Sequence, residues 1–180
     1  MLGHKAIIKF WFEEIDPSFW WFKDVTFDQK ITERFSGIHA KAIRCELFDW
    51  RQEAEGRLAE VIALDQFSRN MFRDSPLSFA YDSLALALSQ EAISIGADQA
   101  LSLIQRSFLY LPFMHSESLK IHEVALDLYQ KNGIQANLDF EIKHYDIIKK
   151  FGRYPHRNKL LGRVSSNEEL EFLEQKGTVF

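Results

Sequence analysis

Three groups of polar residues interrupt the apolar pattern of this 180-residue chain, and they are its candidates for chemistry. In the first group, Asp65 continues an apolar stripe that begins at Leu58, and Arg69 follows one helical turn later. Charges at this spacing can form a charge-assisted pair that fixes the guanidinium for ligand binding. The alternative is a purely structural ion pair, with Asn70 ending the helix, and such pairs are common.

The second group is the corner between two predicted helices, Tyr110–Glu117. Pro112 is predicted to end one helix and Ser116 to cap the next. His115 would then project from the corner beside Glu117, in the first turn of the second helix. A histidine near a carboxylate can transfer protons, because its ordinary pKa lies close to neutral pH. A corner histidine held only by hydrogen bonds is the simpler interpretation, and the spacing does not decide between the two.

The third group is an irregular segment, 151–163, that is rich in hydrogen-bond donors. From Lys143 to Arg163 the chain has seven Lys/Arg residues and one acid, Asp146. Arginine forks match the oxygens of carboxylates and phosphates, so the segment predicts an anion-binding loop. These side chains can equally cap helix ends and pair with the acidic remainder of the chain. The candidate ligand-binding residues here are Arg153, His156, Arg157 and Asn158.

The remaining histidines do not predict a metal site. His144 lies on the apolar face of a predicted helix, where it is either a hydrogen-bonded core residue or a ligand. A metal set could combine His115, His144 or His156 with Asp65 or Glu117, but no two of them have HxxxH or HxxE spacing. The chain also lacks GxGxxG, GxxxxGK[ST], GxSxG and CxxC motifs, so no cofactor is predicted.

The elements that must position these residues are helices, because apolar residues recur every three or four positions along nearly the whole chain. The clearest helix spans 75–95, with Ser75 as its N-cap and Gly96 after its end. Another begins at Thr26, where Gln29 completes a capping box, and continues to about residue 45. Further helices are predicted over 5–12, 53–70, 98–111, 117–132 and 135–151, with a short one capped by Ser165.

Length and composition predict one all-α domain, 1–180, of about seven to nine helices packed as antiparallel hairpins. The net charge of −4 gives no sign of attraction to nucleic acid or anionic lipid. Cys45, the single cysteine, is expected to be a buried, reduced thiol. No stretch is long enough for a membrane helix, and Ala6–Phe12 runs into acidic residues rather than a cleavage site. We therefore expect a cytoplasmic protein.

Several strings of the sequence carry a family resemblance. They are Phe10-Trp11-Phe12, Trp21-Phe22, Asp65-Gln66-Phe67-Ser68-Arg69-Asn70, Tyr110 through Glu117, Phe151 through Asn158 and Leu161-Gly162-Arg163. Over almost its whole length the chain resembles the bacterial family known as domain of unknown function 924. The resemblance implies a helical fold grouped with tetratricopeptide-repeat-like (TPR-like) proteins, and it implies no activity or cofactor. Ser68 stands where relatives commonly have Pro, which is expected to loosen the turn there.

The function that the residues favour is a binding module without chemistry. Helical hairpins would form a concave wall that captures an anionic small molecule or an acidic peptide. The arginines expected to line this wall are Arg69, Arg73, Arg153 and Arg157. Nucleic-acid binding through residues 143–163 would use the same charges, but the acidic remainder of the chain argues against it.

The alternative function is an enzyme with a histidine as general acid or base. His115, His144 or His156 would serve, oriented by Asp65 or Glu117, while arginines hold an anionic substrate. This alternative requires the side chains to converge on one site. The sequence predicts no particular ligand or oligomeric state.

Overall fold

The computed structural model describes residues 3–175, and every regular element in that range is a helix. The eight α-helices are α1 (His4–Lys9), α2 (Val25–Ala42), α3 (Ala54–Met71), α4 (Asp82–Ser94), α5 (Leu103–Met114), α6 (Leu119–Asn132), α7 (Gln135–Phe151) and α8 (Asn167–Leu173). A π-helical stretch, Phe10–Glu14, extends α1, and short 3₁₀ helices occupy Pro17–Trp20, Phe48–Gln52, Pro76–Ser78, Ala97–Ala100 and Pro155–Arg157. The prediction of an all-helical fold is confirmed.

Helix α3 is surrounded by other helices. It packs against α1, α2, α4 and α5, and every residue from Leu58 to Ser68 is buried. A helix buried on all sides must find partners inside the protein for its polar side chains. Glu60, for example, is 1% exposed and accepts a hydrogen bond of 2.7 Å from Arg51. Asp65 is equally buried and therefore needs donors from neighbouring elements.

Aromatic rings fill the space between α1, α2 and α3. The Phe35 ring centroid lies 4.9 Å from that of Phe67 and 5.0 Å from that of Phe10. Trp11 is 1% exposed and packs edge-on against Phe67. Each buried aromatic ring removes about 150 to 250 Å² from water, so this cluster holds the amino-terminal elements onto α3.

The first turn of α3 passes directly beneath the 3₁₀ helix Phe48–Gln52. A Cβ atom built on Gly56 would lie 2.0 Å from the carbonyl oxygen of Trp50. Real Cβ atoms do not approach a carbonyl this closely, so the position requires glycine. The close approach fixes where α3 begins relative to the preceding connection.

The helix predicted over 75–95 is wrong in its first part. Ser75 does cap a helical turn, through a 3.3 Å bond to the Leu77 amide, but that turn is a 3₁₀ helix, and α4 begins only at Asp82. The intervening turn places the Phe79 ring against the guanidinium of Arg157, 4.5 Å away, and Asp82 against Arg69. Tertiary contacts therefore override the local helical preference.

The predicted corner between α5 and α6 is also displaced along the chain. Pro112 lies inside α5 instead of ending it. The residues of the last two turns of α5, Ser107–Met114, are all buried, and that burial offsets the backbone hydrogen bond that proline cannot make. Glu117 precedes α6 instead of lying in its first turn, and Ser118 occupies the N-cap position predicted for Ser116.

Two predicted helix caps are shifted by one or two residues. Asp24, two residues before Thr26, accepts the Phe27 amide at 2.7 Å and caps α2. The last capping box is formed by Ser166 with Glu169 rather than by Ser165. Gly152 follows α7 in the left-handed conformation with φ 69°, as a C-terminal glycine should. The predicted Thr26–Gln29 capping box is therefore not formed, and the second predicted box is formed one residue later.

Ser68 and Cys45 differ from expectation because Ser68 lies within the regular part of α3, whereas α2 ends at Ala42, before Cys45. Ser68 lies inside α3, fully buried, where its hydroxyl donates to Leu64 O at 2.6 Å and accepts from His39, so it loosens no turn. Cys45 follows the end of α2 in a turn with φ 56° and is exposed. The prediction of a buried thiol is therefore wrong. No helix within residues 3–175 is both long and apolar enough to cross a membrane.

Candidate functional site

A polar cleft of about 280 Å³ lies where α4, the α5–α6 corner and the carboxy-terminal segment meet. The segment around Phe79 and the start of α4 form one side. The corner that follows α5 forms the second, and the 3₁₀ helix Pro155–Arg157 closes the third. Its lining residues are Pro76, Phe79, Ala80, Asp82, Ser83, Leu86, Pro112, His115, Ser116, Glu117, Arg157 and Leu161.

His115, the residue that ends α5, is held by a buried carboxylate behind the cleft wall. Its Nδ1 lies 2.7 Å from Oδ1 of Asp65, which is 1% exposed. Arg69 reaches the same carboxylate oxygen at 3.1 Å, and Gln66 donates to the other at 2.7 Å. The predicted Asp65–Arg69 pair is therefore formed, and the corner histidine joins it.

These contacts fix the protonation of the pair. Burial would raise the pKa of Asp65, but the charge of Arg69 and the hydrogen bonds from His115 and Gln66 hold it well below its usual range. Burial lowers the pKa of His115, and Arg69 lowers it further against the opposing effect of Asp65. His115 is thus neutral near pH 7, and its single proton is on Nδ1 because an ionised carboxylate only accepts. Nε2 is then a proton acceptor.

The acceptor nitrogen of His115 is not fully enclosed, and the residue lines the cleft. Among residues 3–175 this nitrogen makes no hydrogen bond, and it is not one of the fully enclosed polar atoms. The side chain as a whole is 17% exposed and forms part of the cleft lining. An oriented, neutral imidazole in a cleft is the arrangement that general-base chemistry requires.

Asp82 connects two arginines from distant parts of the chain. Arg69 donates to both of its oxygens, at 2.9 and 3.0 Å, and Arg157 donates to one at 3.2 Å. Arg157 also donates to the backbone carbonyl of His115 at 3.0 Å. Its Nε, however, is buried and has no partner among the described residues. One guanidinium donor at the cleft is therefore unsatisfied.

Glu117 anchors the carboxy-terminal segment to the corner. It accepts the Tyr154 amide at 2.7 Å and two hydrogen bonds from Arg163, at 2.6 and 2.8 Å. Burial would raise the pKa of Glu117, but these donors keep it below its usual value. Asn158 in turn accepts from Arg163 at 2.9 Å. Glu117 and Asn158 are thus occupied in holding the segment that carries Arg157.

The other predicted site residues lie outside the cleft lining. Asn70 and Arg73 both donate to Asp28 of α2, at 2.8 Å and as a two-bond ion pair. Arg153 forms a two-bond ion pair with Glu169. The arginines expected to line one concave wall are therefore divided among three ion-paired clusters.

His144 and His156 pack around the ring of Tyr154. The His144 ring centroid is 5.8 Å from it and the His156 centroid 5.4 Å. Burial lowers the pKa of His144 to about 3 and that of His156 to about 4. His144 donates from Nδ1 to the Phe140 carbonyl at 2.7 Å. Neither residue forms part of the cleft lining, so the three candidate histidines do not share one site.

Several residues that organise the site were not found from the sequence. Asp82 lies within the range 75–95 that was predicted as one helix, and Tyr154 lies in the segment 151–163 without a predicted role in the site. His122 carries a signal that could have been read, because it shares the buried stripe of α6 with Ala125 and Tyr129. Across the part of the chain that the structure describes, no three His, Cys, Asp or Glu side chains are placed to hold a metal ion.

The fold and the site can be compared with known proteins. The chain belongs to a family described as bacterial protein of unknown function (DUF924), whose model matches residues 7–177. Among solved structures, it is similar to the protein of unknown function ATU0120 from Agrobacterium tumefaciens, with 42% sequence identity and a TM-score of 0.91. The match covers 95% of this chain and 96% of that one. None of the curated proteins matches the chain.

Proposed function

We propose that the cleft binds a small molecule and that His115 removes a proton from it. The observation that carries this proposal is the 2.7 Å contact between His115 Nδ1 and the buried Asp65 carboxylate, at the wall of a cleft. A carboxylate behind a histidine fixes the tautomer and stabilises the imidazolium that forms on proton transfer. The lowered pKa keeps His115 in its basic form at neutral pH.

Arg157 is proposed to select the ligand. Arg157 lines the cleft, and its Nε is a buried donor with no partner among the described residues. A guanidinium with an unsatisfied donor favours a ligand oxygen that accepts a hydrogen bond. Phe79, Pro112 and Leu161 provide apolar surface around the same cleft. A small molecule with one carboxylate, phosphate or carbonyl oxygen and an acidic proton fits this combination.

Binding of an anionic small molecule without a reaction is the second candidate function. It is favoured by the same unpartnered donor on Arg157. The wider arginine wall has less support, because Arg69, Arg73 and Arg153 are each engaged by a carboxylate. These pairs also leave less free positive charge for an acidic peptide. A TPR-like relationship and a cytoplasmic location are retained as proposals.

The experiment compares the protein with a His115→Asn variant. The asparagine amide occupies the position of Nδ1 and can donate to Asp65, but nothing replaces Nε2. Both proteins are incubated with mixtures of small metabolites, binding is recorded by thermal shift, and conversion is recorded by mass spectrometry. His156→Asn, a histidine outside the cleft lining, serves as the matched control.

The proposal expects one compound class to be bound by all three proteins and converted by the parent and by His156→Asn only. If the compounds bind but none of the three proteins converts them, the proposed proton transfer is contradicted and binding without a reaction is supported. Conversion by His115→Asn at the parent rate would rule out His115 as the base. If no compound shifts the melting temperature of the parent, both functions are contradicted.

A further inference from the structure

A second cavity lies between α4, the 3₁₀ helix Ala97–Ala100, α5 and α6. It has a volume of about 440 Å³ and shares no lining residue with the cleft that contains His115. Its polar wall residues include Asp98, Arg106 and Asn132, and its apolar wall includes Ile93 and Leu128. None of these residues takes part in the function proposed above.

Asn132 has a buried acceptor without a partner. The residue is 3% exposed, and its Nδ2 donates to the Leu103 carbonyl at 3.0 Å. Because a carbonyl oxygen only accepts, this bond fixes the orientation of the amide. Oδ1 is then left buried with no hydrogen bond among residues 3–175. An acceptor in this state favours a ligand that donates.

Asp98 supplies a negative charge that no cation neutralises directly. It is 3% exposed, and its Oδ2 accepts from the Tyr110 hydroxyl at 2.6 Å and from Gln99 at 2.8 Å. These two bonds hold the carboxylate in one orientation. No Lys or Arg of the described chain forms an ion pair with it, and Oδ1 receives no hydrogen bond there. The free oxygen is therefore suited to an ammonium group.

Arg106 supplies a positive charge in the same cavity. Its Nε donates to the backbone carbonyl of Asp98 at 3.0 Å, and its Nη2 to that of Leu101 at 3.4 Å. Both partners are neutral carbonyl groups, so they do not compensate the positive charge of the guanidinium. Its Nη1 has no hydrogen bond within residues 3–175. The cavity thus presents an anion and a cation that are fixed separately and are not paired with each other. The third charged lining residue, Lys131, is paired with Asp127.

We propose that this cavity binds an aliphatic α-amino acid. The ammonium group of the ligand donates to Asp98 Oδ1 and Asn132 Oδ1, and its carboxylate accepts from Arg106. The aliphatic side chain packs against Ile93 and Leu128. A zwitterion satisfies the unpartnered acceptor and both unpaired charges at once, whereas an amine or an acid alone satisfies only part of the site.

The test uses L-leucine and two compounds that each lack one of its charges. Isoamylamine is leucine without the carboxylate, and 4-methylpentanoate is leucine without the amine. Binding of each to the full-length protein is measured by isothermal titration and by saturation-transfer NMR. Asp98→Asn keeps the shape of the side chain but removes its charge. Asp146→Asn, the same change at an exposed side chain of α7 outside the cavity lining, is the matched control.

The proposal expects leucine to bind at micromolar to millimolar concentration and both analogues to bind at least about tenfold more weakly. Asp98→Asn should weaken leucine binding by a similar factor, and Asp146→Asn should leave it unchanged. His115→Asn should also leave it unchanged, which separates this site from the cleft. Equal binding of leucine and 4-methylpentanoate, equal affinity in Asp98→Asn, or no leucine binding by the parent would each overturn the proposal.

Discussion

Nδ1 of His122 lies 2.6 Å from Oε1 of Glu141, and neither side chain has any exposed surface. On the other side of the ring, Nε2 donates to the Ser116 carbonyl at 2.8 Å. Nε2 therefore carries one proton, and a second proton must lie between Nδ1 and Oε1, because two lone pairs would repel each other at that distance. The pair is net neutral whichever atom holds this proton. Burial raises the pKa of Glu141, which is consistent with a shared proton.

Replacing one member of the His122–Glu141 pair is predicted to lower the free energy of unfolding more than expected from the double replacement, which removes both polar groups. His122→Leu leaves a buried carboxylate without its partner and should lower the free energy of unfolding by about 3 to 5 kcal/mol. Glu141→Leu should have a smaller but clear effect, because it leaves a buried imidazole nitrogen unpaired. The double variant should be more stable than the sum of the single effects predicts. Urea unfolding of all four proteins measures the coupling, and strict additivity would contradict it.

The two charges beside His115 are predicted to shift its pKa in opposite directions. Arg69→Gln removes a positive charge that disfavours the imidazolium, so the pKa of His115 should rise. Asp65→Asn removes the carboxylate that favours the imidazolium, so the pKa should fall. NMR titration of labelled histidine in the two folded variants measures both shifts. Shifts of the same sign would show that the carboxylate does not act on the ring as the geometry requires.

Acid is predicted to destabilise the protein through its buried histidines. Below pH of about 6.5 the unfolded chain protonates its histidines, whereas burial keeps the pKa of His144 at about 3 and that of His156 at about 4. The unfolded state then binds more protons, so the free energy of unfolding falls as the pH decreases from 7 to 5. Each such histidine contributes up to about 1.4 kcal/mol per pH unit.

His144→Gln isolates one of these contributions. Glutamine does not titrate, so the free energy of unfolding of the variant should fall less steeply between pH 6 and 5. The difference between the slopes of parent and variant should be up to about 1.4 kcal/mol per pH unit. Denaturant unfolding at several pH values gives both slopes. Parallel curves for parent and variant would mean that His144 is protonated equally in the folded and unfolded states.

Two glycine-to-alanine substitutions are predicted to have opposite effects. Gly56→Ala places a methyl group against the Trp50 carbonyl, so it should destabilise the protein by several kcal/mol, about as much as other severe core overpacking. Gly37 lies in α2 with nothing within 4 Å of a built Cβ. Gly37→Ala should raise stability by about 0.5 to 1 kcal/mol, because alanine is the better helix former. Thermal unfolding of the two variants checks both signs, and a mild effect at Gly56 would contradict the close approach.

The sequence predicted the helices well where one apolar face determined them, as in α6 and α7. It failed where a distant contact determined the backbone. The turn before Asp82 depends on Arg69 and on Arg157, which lies 75 residues from Asp82 along the chain. Local periodicity contains no information about such a partner.

The candidate site was predictable to a similar degree. The Asp65–Arg69 pair follows from i,i+4 spacing, and His115 was identified as a corner residue with acid–base potential. Asp65 was one of the two carboxylates offered to orient a histidine, but local spacing could not select its contact with His115, because the two residues are 50 positions apart. The predicted arginine wall is not formed for a related reason. Each of these guanidinium groups pairs with a carboxylate from another part of the chain, as Arg73 does with Asp28.

The bridge formed by Asp82 also determines when the cleft appears during protein synthesis. Asp65, Asp82 and His115 emerge from the ribosome well before Arg157, which closes the third side of the cleft. In a nascent chain that stops short of Arg157, the hydrogen bonds that this residue donates to Asp82 and to the His115 carbonyl are missing. Translation of the carboxy-terminal segment therefore completes the site, so partial chains do not carry it.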